Sequence, residues 1–209
     1  MLRFEKESLL SGQNAKTSVT TGRRIGCVVL AAGLSSRFGS NKLLAEYEGR
    51  SLICRTFDAV PVDKLSHVVV VTCYPEVRAL AEENGFKCAW NDEPEKGASL
   101  SVRIGLDLLL DTDAVLFMVS DQAALTRESV SAQVDFYRMH PDHIVRMSCD
   151  GQVGNPCIFP SAFFPELLEL QGDTGGRAII RRHEDSTLNF CISNAAELAD
   201  VDYNTDLKE

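Results

Sequence analysis

The sequence predicts a single α/β domain with a mostly parallel sheet covered by helices on both faces. Three observations predict it. Apolar runs at 25–30, 67–72 and 114–119 lack polar alternation, as strands buried on both faces do. Helix-like segments with capping and stop signals lie between them, the order of parallel strands joined by crossover helices. No internal repeat or second domain interrupts the pattern after Ile25.

Composition bounds the function. The 209 residues suit one domain, and 44% hydrophobic with 24% charged residues is ordinary for a globular protein. A net charge of −9 argues against a general nucleic-acid or anionic-membrane surface, yet leaves room for a small polyanionic ligand at a local basic cluster. Seven scattered cysteines without a Cys-x-x-Cys pair read as reduced thiols of a cytoplasmic protein. No apolar run approaches the roughly 20 residues of a membrane span. Residues 1–24 mix charge with Ser, Thr, Gln and Asn, which predicts an arm outside the core domain 25–209.

The first strand, from Ile25, turns at Ala31-Ala32-Gly33 into a segment of little bulk that ends with Arg37 and Lys42. Small residues let backbone N–H groups approach a ligand, and the two basic side chains suit phosphate oxygens, so the loop reads as a triphosphate cradle. Its spacing matches neither Gly-x-Gly-x-x-Gly nor the Walker loop. An extended segment with a turn at Gly49 follows, then a helix from Ser51 to about Val60. The second strand is 67–72. Pro75 opens a helix that Gly85 ends, and 86–90 is a short strand. A turn-rich loop, 91–103, feeds a helix reaching about Leu110, which either Ser99 or Ser101 caps.

Strand 114–119 ends in Ser120-Asp121-Gln122. A carboxylate directly after a buried strand sits where open α/β sheets bind ligands, and it can hold Mg²⁺ against phosphates. It can equally cap the helix that starts near Thr126 and stops at Pro141. Strand 143–148, a turn at 150–154, a segment 155–160 and a short helix at 163–170 come next. Asp173 can cap a helix starting near Ala178, beside the cluster Arg177, Arg181 and Arg182. The end, 188–192 and then 198–207, carries the spaced acidic group that contains Asp202.

The pattern Leu-Ala-Ala-Gly-x-Ser-x-Arg-x-Gly-x-x-Lys, from Leu30 to Lys42, resembles the nucleotidyltransferase family of the molybdenum cofactor cytidylyltransferases and guanylyltransferases. That resemblance covers Ile25 to Leu207. It implies a Rossmann-like fold of the nucleotide-diphospho-sugar transferase type. It also implies that Leu30, Ala31, Ala32, Gly33 and Ser35 wrap the nucleotide while Arg37 and Lys42 hold its phosphates. The family's Gly-x-Ser-x-Ser-x-Arg-x-Gly run is matched by Gly97, Ser99, Ser101, Arg103 and Gly105, giving further nucleotide contacts. Its Gly-Asp-Gln-Pro step, whose Asp binds metal, keeps Asp121 and Gln122 but has Ser120 and Ala123 in place of Gly and Pro. The step Gly154-Asn155-Pro156 and the segment with Asp173 and Arg177 match positions near the family's acceptor, as does Gln122. Asp202 fills the place of a second metal ligand.

These matches imply attack by an acceptor phosphate oxygen on the α-phosphorus of a nucleoside triphosphate, with Arg37, Lys42 and Asp121 as catalytic groups and Mg²⁺ on Asp121 and Asp202. No protein nucleophile is needed. The Leu-Ala-Ala-Gly form resembles the cytidylyltransferases, which implies CTP, a molybdopterin acceptor and a molybdenum hydroxylase as the user of the product. A transferase of the same fold acting on a sugar phosphate or another small phosphate is an alternative. So is a non-catalytic accessory protein that binds nucleotide or molybdopterin, the reading motivated by Ser120 and Ala123.

Overall fold

The computed structural model describes residues 22–34 and 41–201. Ser35, Arg37 and Asp202 lie outside the described residues, as does nearly all of the predicted arm 1–24. The described chain runs β1 (Ile25–Ala31), a short hairpin of β2 (Glu46–Tyr47) and β3 (Arg50–Ser51), and α1 (Leu52–Asp58). It continues through β4 (His67–Thr72), α2 (Pro75–Glu83), β5 (Lys87–Trp90), α3 (Ala98–Asp107), β6 (Ala114–Val119) and α4 (Arg127–Met139). It ends with β7 (Ile144–Cys149), β8 (Gln152–Pro160), α5 (Phe164–Leu168), α6 (Arg177–Arg182) and β9 (Thr187–Cys191).

Among the described residues, seven strands form one sheet in the order β5-β4-β1-β6-β8-β7-β9. All neighbours are parallel except β8, which runs antiparallel to both β6 and β7. The cause is local. Asp150 and Gly151 both have positive φ (48° and 83°), the twist that joins strands in a two-residue hairpin. The expected turn over 150–154 is therefore only two residues long, and Gly154, Asn155 and Pro156 belong to β8.

The central strands are buried on both faces, as their unbroken apolar runs require. Cys27, Val29 and Ala31 of β1 face one core with Ile53 and Phe57 of α1, Val77 of α2 and Val134 of α4. Val28 faces the other with Leu106 of α3, Leu167 of α5 and Ile179 of α6. The pleat alone produces this division, since successive side chains leave opposite faces. At Gly105 a Cβ would lie 2.5 Å from Val28 Cγ1, so glycine lets α3 settle onto the sheet. No helix among the described residues is long and apolar enough to cross a membrane. All seven cysteines are free.

Register positions the site. Ala31 pairs with Thr72 and Leu30 with Val119, so β1, β4 and β6 end level with one another. The segments that follow these strands therefore share one rim, the edge at which open parallel sheets take ligands.

Candidate active site

At that rim lies a cleft of about 490 Å³. One wall is Leu30 to Leu34, continued by Lys42 and Leu43; another is Pro94, Glu95, Gly97, Ala98 and Ser101. Ser120, Asp121 and Asp173 complete the lining. Thus Leu30, Ala31, Ala32, Gly33, Lys42, Ser101, Asp121 and Asp173, spread over the chain, meet at one site.

The first wall is held by polar groups that follow β4. Thr72 Oγ1 donates to Ala31 O at 2.9 Å, Cys73 Sγ to Ala32 O at 3.7 Å, and Tyr74 Oη to Gly33 O at 2.8 Å. Three consecutive carbonyls are tied by three consecutive side chains. Partial burial pushes the Cys73 thiol above its ordinary range, so it stays a protonated, weak donor at neutral pH. None of these three residues belongs to a motif of the sequence. Their signal was position, because polar side chains directly after a buried strand sit on the ligand-binding rim.

Asp121 and Lys42 form the charged centre. Lys42 opens a short 3-10 turn, fixed by the buried Leu43 and by Asn41, whose side chain accepts from Leu43 N. Its Nζ donates to Asp121 Oδ2 at 2.9 Å and to Val201 O at 3.0 Å. Val201 N in turn donates to Asp121 O at 2.8 Å. Asp121 Oδ1 is buried and has no hydrogen-bond partner among the described residues. A buried carboxylate oxygen left without a donor is costly, which fits an oxygen reserved for a cation. Mg²⁺ characteristically takes one or two carboxylates and completes its shell with water and phosphate oxygens, so this donor set suits it. Asp202 follows Val201 directly but lies outside the described residues, as do Ser35 and Arg37.

Ser120 and Ala123, which depart from the family pattern, are both absorbed. Ser120 Oγ donates to Leu30 O at 2.8 Å and stitches β6 to β1. Ala123 packs against Leu52 and Val201, and its carbonyl accepts from Arg55 Nη1 at 3.4 Å.

The α3 side of the cleft corrects two expectations. Neither Ser99 nor Ser101 caps α3: both lie within the helix and are buried (1% and 6% exposed), and the N-cap is Gly97. Ser101 Oγ instead accepts from Asn91 Nδ2 at 3.0 Å, and Asn91 Oδ1 accepts from Glu93 N, which shapes the loop. Asp173 does not cap α6, whose N-cap is Gly176; its Oδ1 accepts from Ala98 N at 3.4 Å, at the start of α3. The physical reason is contact. Gly97 abuts Gly172 and Asp173 so closely that their backbone atoms would lie 2.6 Å from a Cβ. Arg103 points its Nε into a buried position without a partner among the described residues.

The remaining expected residues stand apart from the cleft walls. Gln122 is buried and donates to Leu198 O at 3.4 Å. Gly154, Asn155 and Pro156 lie on β8, where Gln133 Nε2 of α4 donates to Pro156 O at 2.8 Å. Arg177 begins α6 and is exposed.

Residues 27–187 match the MobA-like NTP transferase domain. The chain is 27% identical to the purine catabolism protein PucB of Bacillus subtilis strain 168, over 84% of this chain and 90% of PucB. It is 25% identical to the 3-deoxy-manno-octulosonate cytidylyltransferase of Francisella philomiragia, over 59% of this chain and 50% of that protein. The crystal structure of Rv0371c from Mycobacterium tuberculosis H37Rv has the same fold, with a TM-score of 0.73 at 23% identity over 88% of this chain and 95% of that one. A second structure of Rv0371c, a complex with manganese, gives a TM-score of 0.68 at 20% identity over 82% and 90%.

Proposed function

The chain belongs to the MobA-like NTP transferase domain family, and from that membership we propose that it transfers CMP from CTP to a molybdopterin-type acceptor and releases pyrophosphate. The observation that carries this reading is Asp121: a carboxylate at the rim of a parallel sheet, with one oxygen on Lys42 and the other without a partner among the described residues.

In this reading the nucleotide lies between the Leu30–Gly33 wall and the start of α3. Lys42 and Arg37 neutralise the triphosphate. An acceptor phosphate oxygen attacks the α-phosphorus in line, and pyrophosphate leaves. No residue forms a covalent bond to substrate; the protein's contribution is orientation and fixed positive charge. Asp121 and Asp202 hold Mg²⁺, which supplies charge neutralisation at the reacting phosphate when bound. The manganese complex of a protein of the same fold supports a divalent cation here. Gln122, Gly154, Asn155, Pro156, Asp173 and Arg177 serve the acceptor, with Asp173 already at the cleft.

Two observations support CTP: the Leu-Ala-Ala-Gly form of the first wall and a cytidylyltransferase among the relatives. That relative's name points to a sugar acid as acceptor, so such acceptors belong in the assay beside molybdopterin. The test is thermal protection. At a hundredfold excess over Kd, a nucleotide bound only by the folded state adds about 2.7 kcal/mol, a rise in Tm of roughly 5–10 °C for a chain of this size. CTP with Mg²⁺ gives that shift and GTP a smaller one. A larger shift with GTP overturns the base assignment, and no shift with either overturns the nucleotide site.

A further inference from the structure

One buried carboxylate has no part in the site so far described. Glu197 lies in the 3-10 turn Ala195–Leu198 and is 5% exposed. Its Oε2 accepts from the Thr126 backbone N–H at 3.0 Å and from Thr126 Oγ1 at 2.9 Å, and its Oε1 accepts from Ser129 Oγ at 3.0 Å. Both oxygens are thus spent on the N-terminus of α4, where the helix dipole also favours a negative charge.

Helix capping alone does not account for it. Thr126 already caps α4 from within, its Oγ1 accepting from Ser129 N at 3.2 Å. Burying a carboxylate is costly, and an apolar side chain would hold a surface turn at less expense of solvation. What Glu197 adds is a tie across 71 residues of sequence between α4 and the C-terminal segment.

Downstream of that tie, the segment is pinned to the active site. Leu198 O accepts from Gln122 Nε2 at 3.4 Å, Val201 N donates to Asp121 O at 2.8 Å, and Val201 O accepts from Lys42 Nζ at 3.0 Å. The Val201 side chain is buried against Leu52 and Ala123. Asp202 comes next. Three residues separate Glu197 from Val201, too few for slack at one end to be lost before the other.

We propose that Glu197 is a positioning residue for the cation of this site: it clamps residues 194–201 onto α4, so that Val201 meets Asp121 and holds it in place for the cation. The inference rests on the reading of Asp121 as a cation ligand. Removing a group that orients metal ligands characteristically weakens metal affinity about 10–100-fold.

The test uses the full chain with CTP and Mn²⁺, following free Mn²⁺ by electron paramagnetic resonance well below the Tm of each variant. Glu197→Ala weakens Mn²⁺ at least about tenfold, in the range expected for lost ligand orientation. Glu197→Gln, which keeps an acceptor oxygen for Thr126, recovers part of the loss and serves alone where Glu197→Ala does not fold. Amide exchange supplies a second readout: the Val201 N–H exchanges faster in Glu197→Ala while Val134 of α4 stays as protected as in the wild type. A variant that loses Tm but binds Mn²⁺ like the wild type, with Val201 still protected, overturns the proposal and leaves Glu197 a structural residue. If Asp121→Asn binds Mn²⁺ like the wild type, the cation reading itself fails, and this inference with it, whatever Val201 does.

Discussion

Gly97→Ala attacks the joint between the two sides of the cleft. Gly97 has φ 89° and ψ −179°, a region essentially restricted to glycine, and forcing another residue into it costs about 1–3 kcal/mol. The added Cβ would also stand 2.6 Å from Gly172 C, Gly172 O and Asp173 N. These are backbone atoms, so no rotamer change relieves the contact, and overpacking of this kind costs about 1–3 kcal/mol. Together the expected loss is about 4 kcal/mol, a fall in Tm of roughly 10 °C for a chain of this length. Relaxation must move 172–173 away from α3, breaking the bonds from Ser99 N to Gly172 O (3.2 Å) and from Ala98 N to Asp173 Oδ1 (3.4 Å). Urea unfolding followed by circular dichroism measures the loss. Gly175→Ala, whose Cβ meets nothing within 4 Å, is the control and should change stability by less than about 0.5 kcal/mol. A loss below about 1 kcal/mol for Gly97→Ala would show that the two segments do not meet as described.

Three further perturbations probe other links. Thr72→Val keeps shape but removes the donor to Ala31 O and the acceptor for Tyr74 N; it should cost about 1–2 kcal/mol in denaturant unfolding and reduce thermal protection by CTP. Lys42→Met takes the ammonium off Asp121 Oδ2 and Val201 O, so Mn²⁺ binding without nucleotide should tighten while turnover falls about a hundredfold; weaker Mn²⁺ binding would contradict competition between the ammonium and a cation. Arg182, through its hydrogen bond, and then His183 hold the Glu166 carboxyl below its ordinary value of 4.5. A depressed carboxyl stabilises the fold above its unfolded pKa and loses that contribution as pH falls through the folded one. The stability gap between wild type and Glu166→Gln should therefore be full near neutrality and close as pH drops below 4.5; a gap that widens on acidification would reverse the assigned sign.

Much of this architecture is written in local pattern. Val68 to Val71 and Leu116 to Met118, short and unbroken in their apolar character, read as strands covered on both sides, and the rim that follows such strands is a property of parallel sheets. Asp121 was legible for that reason. What escaped depends on contacts between distant segments. The ties from Thr72, Cys73 and Tyr74 to the Ala31–Gly33 carbonyls exist only because Ala31 pairs with Thr72. The start of α3 is set by Gly97 against Gly172, so a Ser-rich opening misled the reading of caps, and Asp173 serves a helix 75 residues earlier in the chain. The antiparallel β8 was within reach, because Asp150-Gly151 is a hairpin signal that stands between two apolar segments.

Pyrophosphate release measures nucleotidyl transfer at Asp121 most directly. With CTP, Mg²⁺ and molybdopterin, the wild-type protein should release pyrophosphate in proportion to acceptor consumed, and Asp121→Asn should lower the rate by about 10²–10³-fold while its fold stays intact. Release by Asp121→Asn at the wild-type rate, or none from the wild type with molybdopterin or a sugar phosphate as acceptor, would contradict it.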